Sequence, residues 1–220
     1  MYHLHPSLRL RELFRSKPYQ GAIPEESRFV FVGLDANYAP DIEASDTFSS
    51  LLRYHEDGPA FWRSTGVHHP FLLPSYKGDG RRYHLTFAKI GFQPKHASEV
   101  SFVELVEVPT CGRSSLAALD LTPTHTDYLR KVVLGSKAQF IFLPAGVQRL
   151  LLTTGKFQEV ASVKREVAGL RVLYEDDNRA VFLHLHFSNY GKFEKQLQEE
   201  RRGIAELLAA SDASQETPSN

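Results

Sequence analysis

The chain has 220 residues, 42% of them hydrophobic and 24% charged, a balance typical of one globular domain with a sizeable core. Its 26 basic residues equal its 26 acidic ones, so no net positive field attracts nucleic acid, and any DNA contact must use a local patch. The single cysteine, Cys111, excludes an internal disulfide and any iron–sulfur cluster, which needs about four thiolates.

Neither a membrane-spanning segment nor a secretory signal is predicted. The longest apolar runs, such as residues 140–143, are strand-sized and far shorter than the roughly 20 residues that cross a bilayer. The first six residues lack the charged start and apolar stretch of a secretory signal. We therefore expect a cytoplasmic protein with no membrane partner.

The first third of the chain predicts a helix, a buried strand and a second helix. Residues 1–27 are basic and polar, with apolar side chains at roughly helical spacing, which predicts a helical N-terminal extension. The run 28–32 is β-branched and aromatic and ends at Gly33, as expected of a buried parallel strand that leads into a functional loop. Residues 46–53 have a helical pattern. A loop-rich stretch follows Trp62, which we assign to packing.

The middle and later segments alternate between strands and helices. Residues 100–106 and 140–143 have strand patterns with an amphipathic stretch at 126–134 between them, which indicates βαβ units. Residues 172–174 and 180–185 predict two further strands joined by a turn. This alternation favours an α/β fold.

A charged helix and a polar tail close the chain. Residues 193–210 carry apolar side chains at helical spacing, and residues 211–220 have the composition of a disordered tail. We therefore expect one α/β domain over residues 28–210, built as a three-layer αβα sandwich with a short, mainly parallel central sheet.

The loop that begins with Gly33, Leu34 and Asp35 leaves the carboxyl end of a strand, where α/β proteins place ligands. An aspartate there would otherwise only cap the next helix. The loop resembles the water-activating Gly-Gln-Asp-Pro-Tyr loop of the uracil-DNA glycosylase superfamily, with glycine and aspartate in register. In that family a Phe-Ser pair follows the aspartate by thirteen residues, and Phe48 has this separation from Asp35. The resemblance makes Phe48 the ring that stacks on a flipped base, against the alternative of an ordinary core aromatic.

A second stretch, from His186 to Ser188, is similar to the His-Pro-Ser loop of the same family, with phenylalanine in place of proline. Register with that triplet favours His186 as the catalytic histidine, whereas a one-residue gap favours His184. Both would share one face of the last strand. Together with His68 and Asp35 they would also suit a metal-dependent hydrolase, although no Cys-x-x-Cys or His-Glu-x-x-His motif supports a metal site.

Glu104 stands on the strand where the superfamily carries its base-reading asparagine. An amide both donates and accepts hydrogen bonds, whereas an ionised carboxylate only accepts. A Glu104 kept protonated by burial would donate to a carbonyl; in a shifted register it would be a solvated strand end. Tyr38 follows one position later than the family tyrosine that excludes a methyl group, and Ala36 replaces its proline. The identity of the excised base is therefore open.

The resemblance implies a monofunctional DNA glycosylase of base-excision repair that hydrolyses the N-glycosidic bond of a flipped uracil or other deaminated or damaged base. It implies damaged DNA as the partner, no metal or other cofactor and no obligate protein partner.

Asp35 and His186 would be catalytic, on the sugar and base sides of the bond. The expected substrate contacts are Gly33, Leu34, Tyr38, Phe48, Glu104 and His184. The expected DNA contacts are Phe187, Ser188, Asn189, Tyr190 and Lys192, with Phe187 or Tyr190 filling the vacated base stack. The alternative from another functional class is a non-catalytic binder of modified bases.

Overall fold

The computed structural model describes residues 2–112 and 115–216 and has an α/β fold. Its long parallel strands form where the sequence is apolar and β-branched, and its helices form where apolar residues recur at helical spacing. The α-helices are α1 (Leu8–Ser16), α2 (Phe48–Glu56), α3 (Gly58–Thr65), α4 (Arg81–Ala88), α5 (Pro123–Arg130), α6 (Ala145–Thr153) and α7 (Glu194–Glu216). The strands are β1 (His3–Leu4), β2 (Tyr19–Gly21), β3 (Phe29–Gly33), β4 (Val100–Glu104), β5 (Thr110–Cys111), β6 (Phe140–Pro144), β7 (Arg165–Val167), β8 (Leu170–Glu175) and β9 (Ala180–His184).

The main sheet has seven strands in the order β2-β4-β3-β6-β9-β8-β7, and a separate two-stranded sheet pairs β1 with β5. The prediction of a short, mainly parallel sheet is wrong, because the sheet is mixed. The pairs β4–β3, β3–β6 and β6–β9 are parallel, whereas β2–β4, β9–β8 and β8–β7 are antiparallel. The connections explain the difference: β7, β8 and β9 follow one another through short turns, and strands joined in this way pair antiparallel.

Apolar clusters cover both faces of the central strands. Successive strand residues point to opposite faces, so Val30 and Val32 belong to one cluster while Phe29 and Phe31 belong to the other. The valine side also receives residues of α5 and α6, and the phenylalanine side receives residues of α3, α4 and α7. Trp62 is buried in the second cluster. Burial on both faces is the reason the central strands are continuously apolar.

The described segments near both ends of the chain are held against the rest of the domain. The predicted N-terminal helix forms as α1, but residues 1–27 also contribute β2, which pairs with β4. At the other end α7 continues through residues 211–216, part of the segment predicted as a disordered tail. Asp212 explains this continuation because it binds Lys95 Nζ at 2.7 Å and His96 Nε2 at 3.2 Å. The remaining tail residues, 217–220, lie outside the described residues.

Among the described residues, every helix is too short or too polar to pass through a lipid bilayer.

Candidate active site

A pocket of about 230 Å³ opens at the carboxyl ends of β3 and β4, beside the loop that follows β9. Parallel neighbouring strands end on the same side of a sheet, so the loops that follow them converge there. The loop from Gly33 to Tyr38 forms one wall, and Glu104, His186 and Ser188 border the same space. Two segments distant in sequence, each predicted from a motif, therefore meet at one site.

Glu104 lies opposite Gly33 in the parallel register of β3 and β4. Its backbone carbonyl accepts a hydrogen bond from His125 Nε2 at 2.8 Å, which holds the end of β4 in place. Its side chain faces the pocket, and no described residue forms a hydrogen bond with the carboxyl group. Burial, with a smaller contribution from the charge of Asp35, raises the pKa of Glu104 to about 8. The carboxyl group is therefore mostly protonated at neutral pH and offers one donor and one acceptor.

Asp35 is held in position by two neighbours. The Thr110 hydroxyl and Asn37 Nδ2 both donate to Oδ2 of Asp35, the latter at 3.3 Å. Asn37 Nδ2 also lies 3.0 Å from Thr110 Oγ1 and 2.7 Å from the Gly112 carbonyl. Donors that converge on one carboxylate oxygen fix its orientation. Asp35 thus places a carboxylate at the pocket wall.

His186 borders the pocket just beyond the end of β9. Its Nδ1 lies 2.6 Å from Ser188 Oγ and accepts the Ser188 backbone N–H at 3.4 Å. Because Nδ1 accepts, the proton of the neutral ring belongs on Nε2. Burial lowers the pKa of His186, partly opposed by the charge of Asp35. The ring is thus a neutral hydrogen-bond donor at physiological pH.

His184 occupies a different environment and does not line the pocket. It is the last residue of β9, is buried, and packs against Phe31, Phe142 and Phe187 with ring centroids 6.5, 6.1 and 4.9 Å away. His184 therefore lies behind the pocket lining, and its expected contact with substrate stays a prediction. Alternation along a strand places residues two apart on one face only while the strand continues, and β9 ends before His186. Of the two histidines, His186 is the one at the pocket.

Phe48 is also absent from the described side chains that line the pocket. It begins α2 and is buried in a third apolar cluster, next to Ala36, Tyr38 and Leu51. This position does not bring the ring to the pocket wall, since separation along the chain does not fix where a side chain packs, and its stacking on a base stays a prediction. Aromatic rings from elsewhere border the pocket instead: those of Tyr38, Phe71, Tyr83 and Phe102.

Two other residues of the opening loop do line the pocket, as predicted. Leu34 is half-buried at its wall. Tyr38 is buried, and its hydroxyl accepts a hydrogen bond from Gln20 Nε2 at 2.6 Å. Gln20 lines the pocket from β2. Tyr38 is therefore a fixed aromatic wall rather than a surface turn residue.

The predicted DNA contacts divide into buried and exposed residues. Phe187 is fully buried in the aromatic cluster between α4 and the sheet, so its ring is not at the surface that a wedge would need. Tyr190 is 67% exposed, and Arg82 Cζ lies 4.6 Å from its ring centroid. Ser188 and Lys192 are exposed, whereas Asn189 is half-buried and donates its backbone N–H to the His186 carbonyl at 2.9 Å. Tyr190 is thus an exposed aromatic side chain two residues beyond Ser188, which lines the pocket.

The far wall of the pocket was not predicted. It consists of His69, Phe71, Gly80, Tyr83 and His84, which fall in the stretch predicted as loop. The helix α4 begins there directly after Gly80. This glycine has φ +84°, a left-handed conformation that glycine adopts without strain. The glycines and prolines of this stretch predict a loop. They do not predict that residues in the first turn of α4 line the same pocket as the loop after β3.

The histidines of this region do not form a metal site. The described residues contain no group of three or more His, Cys, Asp or Glu side chains placed to hold a metal ion. His184 is in the aromatic core, whereas His69 and His84 stack on each other at the pocket wall. The ligand set suggested by the sequence is therefore dispersed.

A comparison with protein-family models gives no match, and neither does a comparison with the sequences of curated proteins. The resemblance to uracil-DNA glycosylases consequently rests on the short motifs at Asp35 and His186, and it stays a prediction. What the pocket offers chemically is a carboxylate at one wall, a neutral imidazole donor at another, and a protonated carboxyl group between aromatic rings.

Proposed function

We propose that this protein is a DNA glycosylase that hydrolyses the N-glycosidic bond of a flipped uracil or another deaminated or damaged base. The observation that carries the proposal is that Asp35 and His186, 151 positions apart in the sequence, border one pocket together with Glu104. A negative group and a neutral donor around one cavity suit a reaction in which the sugar becomes cationic and the base anionic.

We also propose a three-layer αβα arrangement of the fold. It is supported by the two apolar clusters on opposite faces of the sheet, one containing residues of α5 and α6 and the other residues of α3, α4 and α7. In open α/β sheets of this kind ligands bind outside the carboxyl ends of the strands, which is where the pocket lies.

In the proposed reaction the bond between C1′ of the sugar and the base nitrogen breaks, and its electron pair leaves with the base. Asp35 stabilises the cationic sugar and orients a water molecule, whose oxygen bonds to C1′ and whose proton passes to the carboxylate. His186 donates from Nε2 to the base carbonyl on which negative charge accumulates. The neutral ring is suited to this role because Ser188 occupies Nδ1.

Glu104 is proposed to read the base. Its protonated carboxyl group presents a donor and an acceptor, as the family asparagine would, so it pairs with an edge on which a carbonyl oxygen neighbours a ring N–H. Tyr38 and Phe71 supply aromatic walls beside that edge. Phe71 stacks on Tyr76 with ring centroids 4.0 Å apart, which fixes its position before any base enters.

The proposed partner is DNA, bound through a local surface because the chain has no net charge. Arg82, Tyr190 and Lys192 are exposed near the pocket entrance. Basic side chains suit phosphate contacts, and an exposed tyrosine held by a guanidinium suits the space that a flipped base leaves in the stack.

The decisive experiment exposes the protein to duplex and single-stranded oligonucleotides that contain uracil, hypoxanthine, xanthine or oxidised pyrimidines and scores abasic sites. We expect excision from at least one substrate by the wild type and its loss in Asp35→Asn. Asp177→Asn, a change in the exposed turn between β8 and β9, is the matched control and should keep activity. Excision from no substrate would contradict the proposal, and binding without excision would favour a non-catalytic base binder.

A further inference from the structure

The far wall of the pocket contains a pair of stacked histidines to which the proposed reaction assigns no role. His69 and His84 lie face to face with ring centroids 3.6 Å apart and planes inclined by 6°. Both rings line the same pocket as Asp35 and His186. Burying a polar ring at the wall of a small pocket is costly unless the protein or a ligand forms hydrogen bonds with its nitrogen atoms.

The tautomer of His69 follows from its backbone contact. The Phe71 backbone N–H donates to His69 Nδ1 at 3.1 Å, so the proton of the neutral ring belongs on Nε2. None of the described residues accepts a hydrogen bond from that Nε2–H. The ring is buried apart from the pocket that it borders. His69 therefore has an unused donor at the pocket wall.

Its neighbours keep the His69 ring fixed and neutral. His84 Nδ1 lies 3.2 Å from His68 Nε2, so the second ring of the stack is itself held from behind. Tyr54 packs edge-on against His69 with centroids 4.8 Å apart. Burial lowers the pKa of His69 and of His84 well below the usual value, with a smaller contribution from His68 to both rings and from His69 to His84. Such a preorganised donor loses little entropy when it binds a ligand.

We propose that the His69–His84 pair is a second recognition edge of the pocket, in which His69 Nε2–H donates to a second carbonyl oxygen of the bound base. The inference rests on the proposed function for the identity of the ligand as a base. It adds a requirement on that base, namely an acceptor beyond the group that His186 contacts. Dioxo-pyrimidines and dioxo-purines both satisfy this requirement, and bases with a single carbonyl do not.

Two pairs of free bases, each differing in one carbonyl group, test the requirement by calorimetric titration. Xanthine is compared with hypoxanthine, and uracil with 2-pyrimidinone. For the wild type we expect the dioxo member of one pair to bind about tenfold more tightly, the usual effect of one hydrogen bond to an otherwise unsatisfied donor. The pair that shows the preference identifies the ligand as bicyclic or monocyclic.

The variant His69→Phe keeps an aromatic ring against His84 and removes the donor, so the tenfold preference should disappear. His69→Leu, which also lacks a donor, provides the same test if the first variant is unstable. The matched control is His55→Phe, because His55 is a buried histidine packed on Phe14 with both ring nitrogens unpartnered. The control should bind as the wild type does.

A preference that persists in both His69 variants would overturn the inference, and so would equal binding within both pairs or no binding of any base by the wild type. Failure of the proposed function has a different signature. If the bases bind with the expected dependence on His69 but no oligonucleotide loses a base, the recognition edge stands and the glycosylase proposal falls.

Discussion

The carboxyl group of Glu104 lies directly against the backbone of Gly33. A Cβ atom added to Gly33 would stand 2.7 Å from Glu104 Cδ, closer than real side-chain atoms approach. Position 33 therefore has to be glycine, because any larger residue would occupy the space of the Glu104 carboxyl group.

Replacing Gly33 with alanine should push Glu104 out of its position while leaving the strand formed. A displacement of about 1 Å in a reacting group reduces rate by roughly a hundredfold, so we expect kcat/KM for excision to fall by about that factor. Gly146→Ala is the matched control, because its Cβ would meet only Leu34 Cδ2, at 4.0 Å. Full activity of Gly33→Ala would show that the position of Glu104 is unimportant.

The raised pKa of Glu104, about 8, predicts a change in base recognition under alkaline conditions. Below that pH the carboxyl group is protonated and donates, and above it the group ionises and only accepts. Affinity for a base with a carbonyl at this edge should therefore fall as pH rises through about 8. Glu104→Gln keeps a donor and an acceptor at every pH, so this fall should be absent when its affinity is measured over the same range.

The same shift predicts a pH dependence of stability. The pKa of Glu104 is higher in the folded protein than its ordinary value of 4.5, so the folded state binds this proton more tightly. The contribution to the free energy of unfolding is complete below about pH 4.5 and is lost as pH rises through about 8. Denaturant unfolding should show a smaller loss of stability between pH 5 and 8 for Glu104→Gln than for the wild type. Equal losses of unfolding free energy in the wild type and in Glu104→Gln would mean that the Glu104 carboxyl group is solvated.

The choice between the two histidines leads to a paired prediction. His186→Gln should reduce kcat by about a hundredfold or more, the usual effect of losing a donor to developing negative charge. His184→Phe should leave kcat nearly unchanged, because His184 is packed among phenylalanines away from the pocket. Single-turnover excision assays on both variants make the comparison, and the reverse order of effects would reassign the catalytic histidine.

Thr110 gives a prediction about Asp35, the residue proposed to act on the sugar side of the bond. Its hydroxyl donates to Asp35 Oδ2, and Thr110→Val removes this bond while keeping the shape of the side chain. Hydrogen bonds to charged groups contribute about 1.5–3 kcal/mol, so excision should slow by about tenfold or more if Asp35 loses its orientation. Thr153→Val, on an exposed face of α6, is the control. An unaffected rate would mean that the Thr110 hydroxyl is not needed to orient the carboxylate.

Sequence patterns predict the central strands and the two loops that border the pocket because local composition determines both. The apolar runs of β3, β4, β6 and β9 are specific to buried parallel strands, and the ends of such strands meet at one edge of a sheet. The antiparallel outer strands β2 and β7 are too short to give a clear periodic pattern. Their pairing follows from chain connections that only the folded structure reveals.

The contents of the pocket are harder to predict, because tertiary packing decides which side chains reach it. Phe48 has the family spacing from Asp35 and yet lies in a separate apolar cluster. Phe187 sits between two residues that face the pocket or solvent and is itself fully buried. His84 reaches the pocket from a helix that no local pattern predicts. The two motifs pointed to Asp35 and His186, which both line the pocket, whereas most of its aromatic walls come from segments without a recognisable motif.

Glu200 on α7 anchors the loop that carries His186, and this leads to the last prediction. The side chain is 1% exposed, its Oε2 accepts the Leu185 backbone N–H at 2.7 Å, and its Oε1 accepts from Gln196 Nε2 at 2.9 Å. Glu200→Leu leaves the Leu185 N–H unsatisfied and should cost about 1–3 kcal/mol of unfolding free energy. A purely structural role would lower stability alone. A positioning role should also lower kcat and kcat/KM together, because the interaction of His186 is made in the transition state. Glu200→Gln retains an acceptor for Leu185 and should restore most of the rate, and a folded Glu200→Leu variant with normal kcat would show that the loop needs no such anchor.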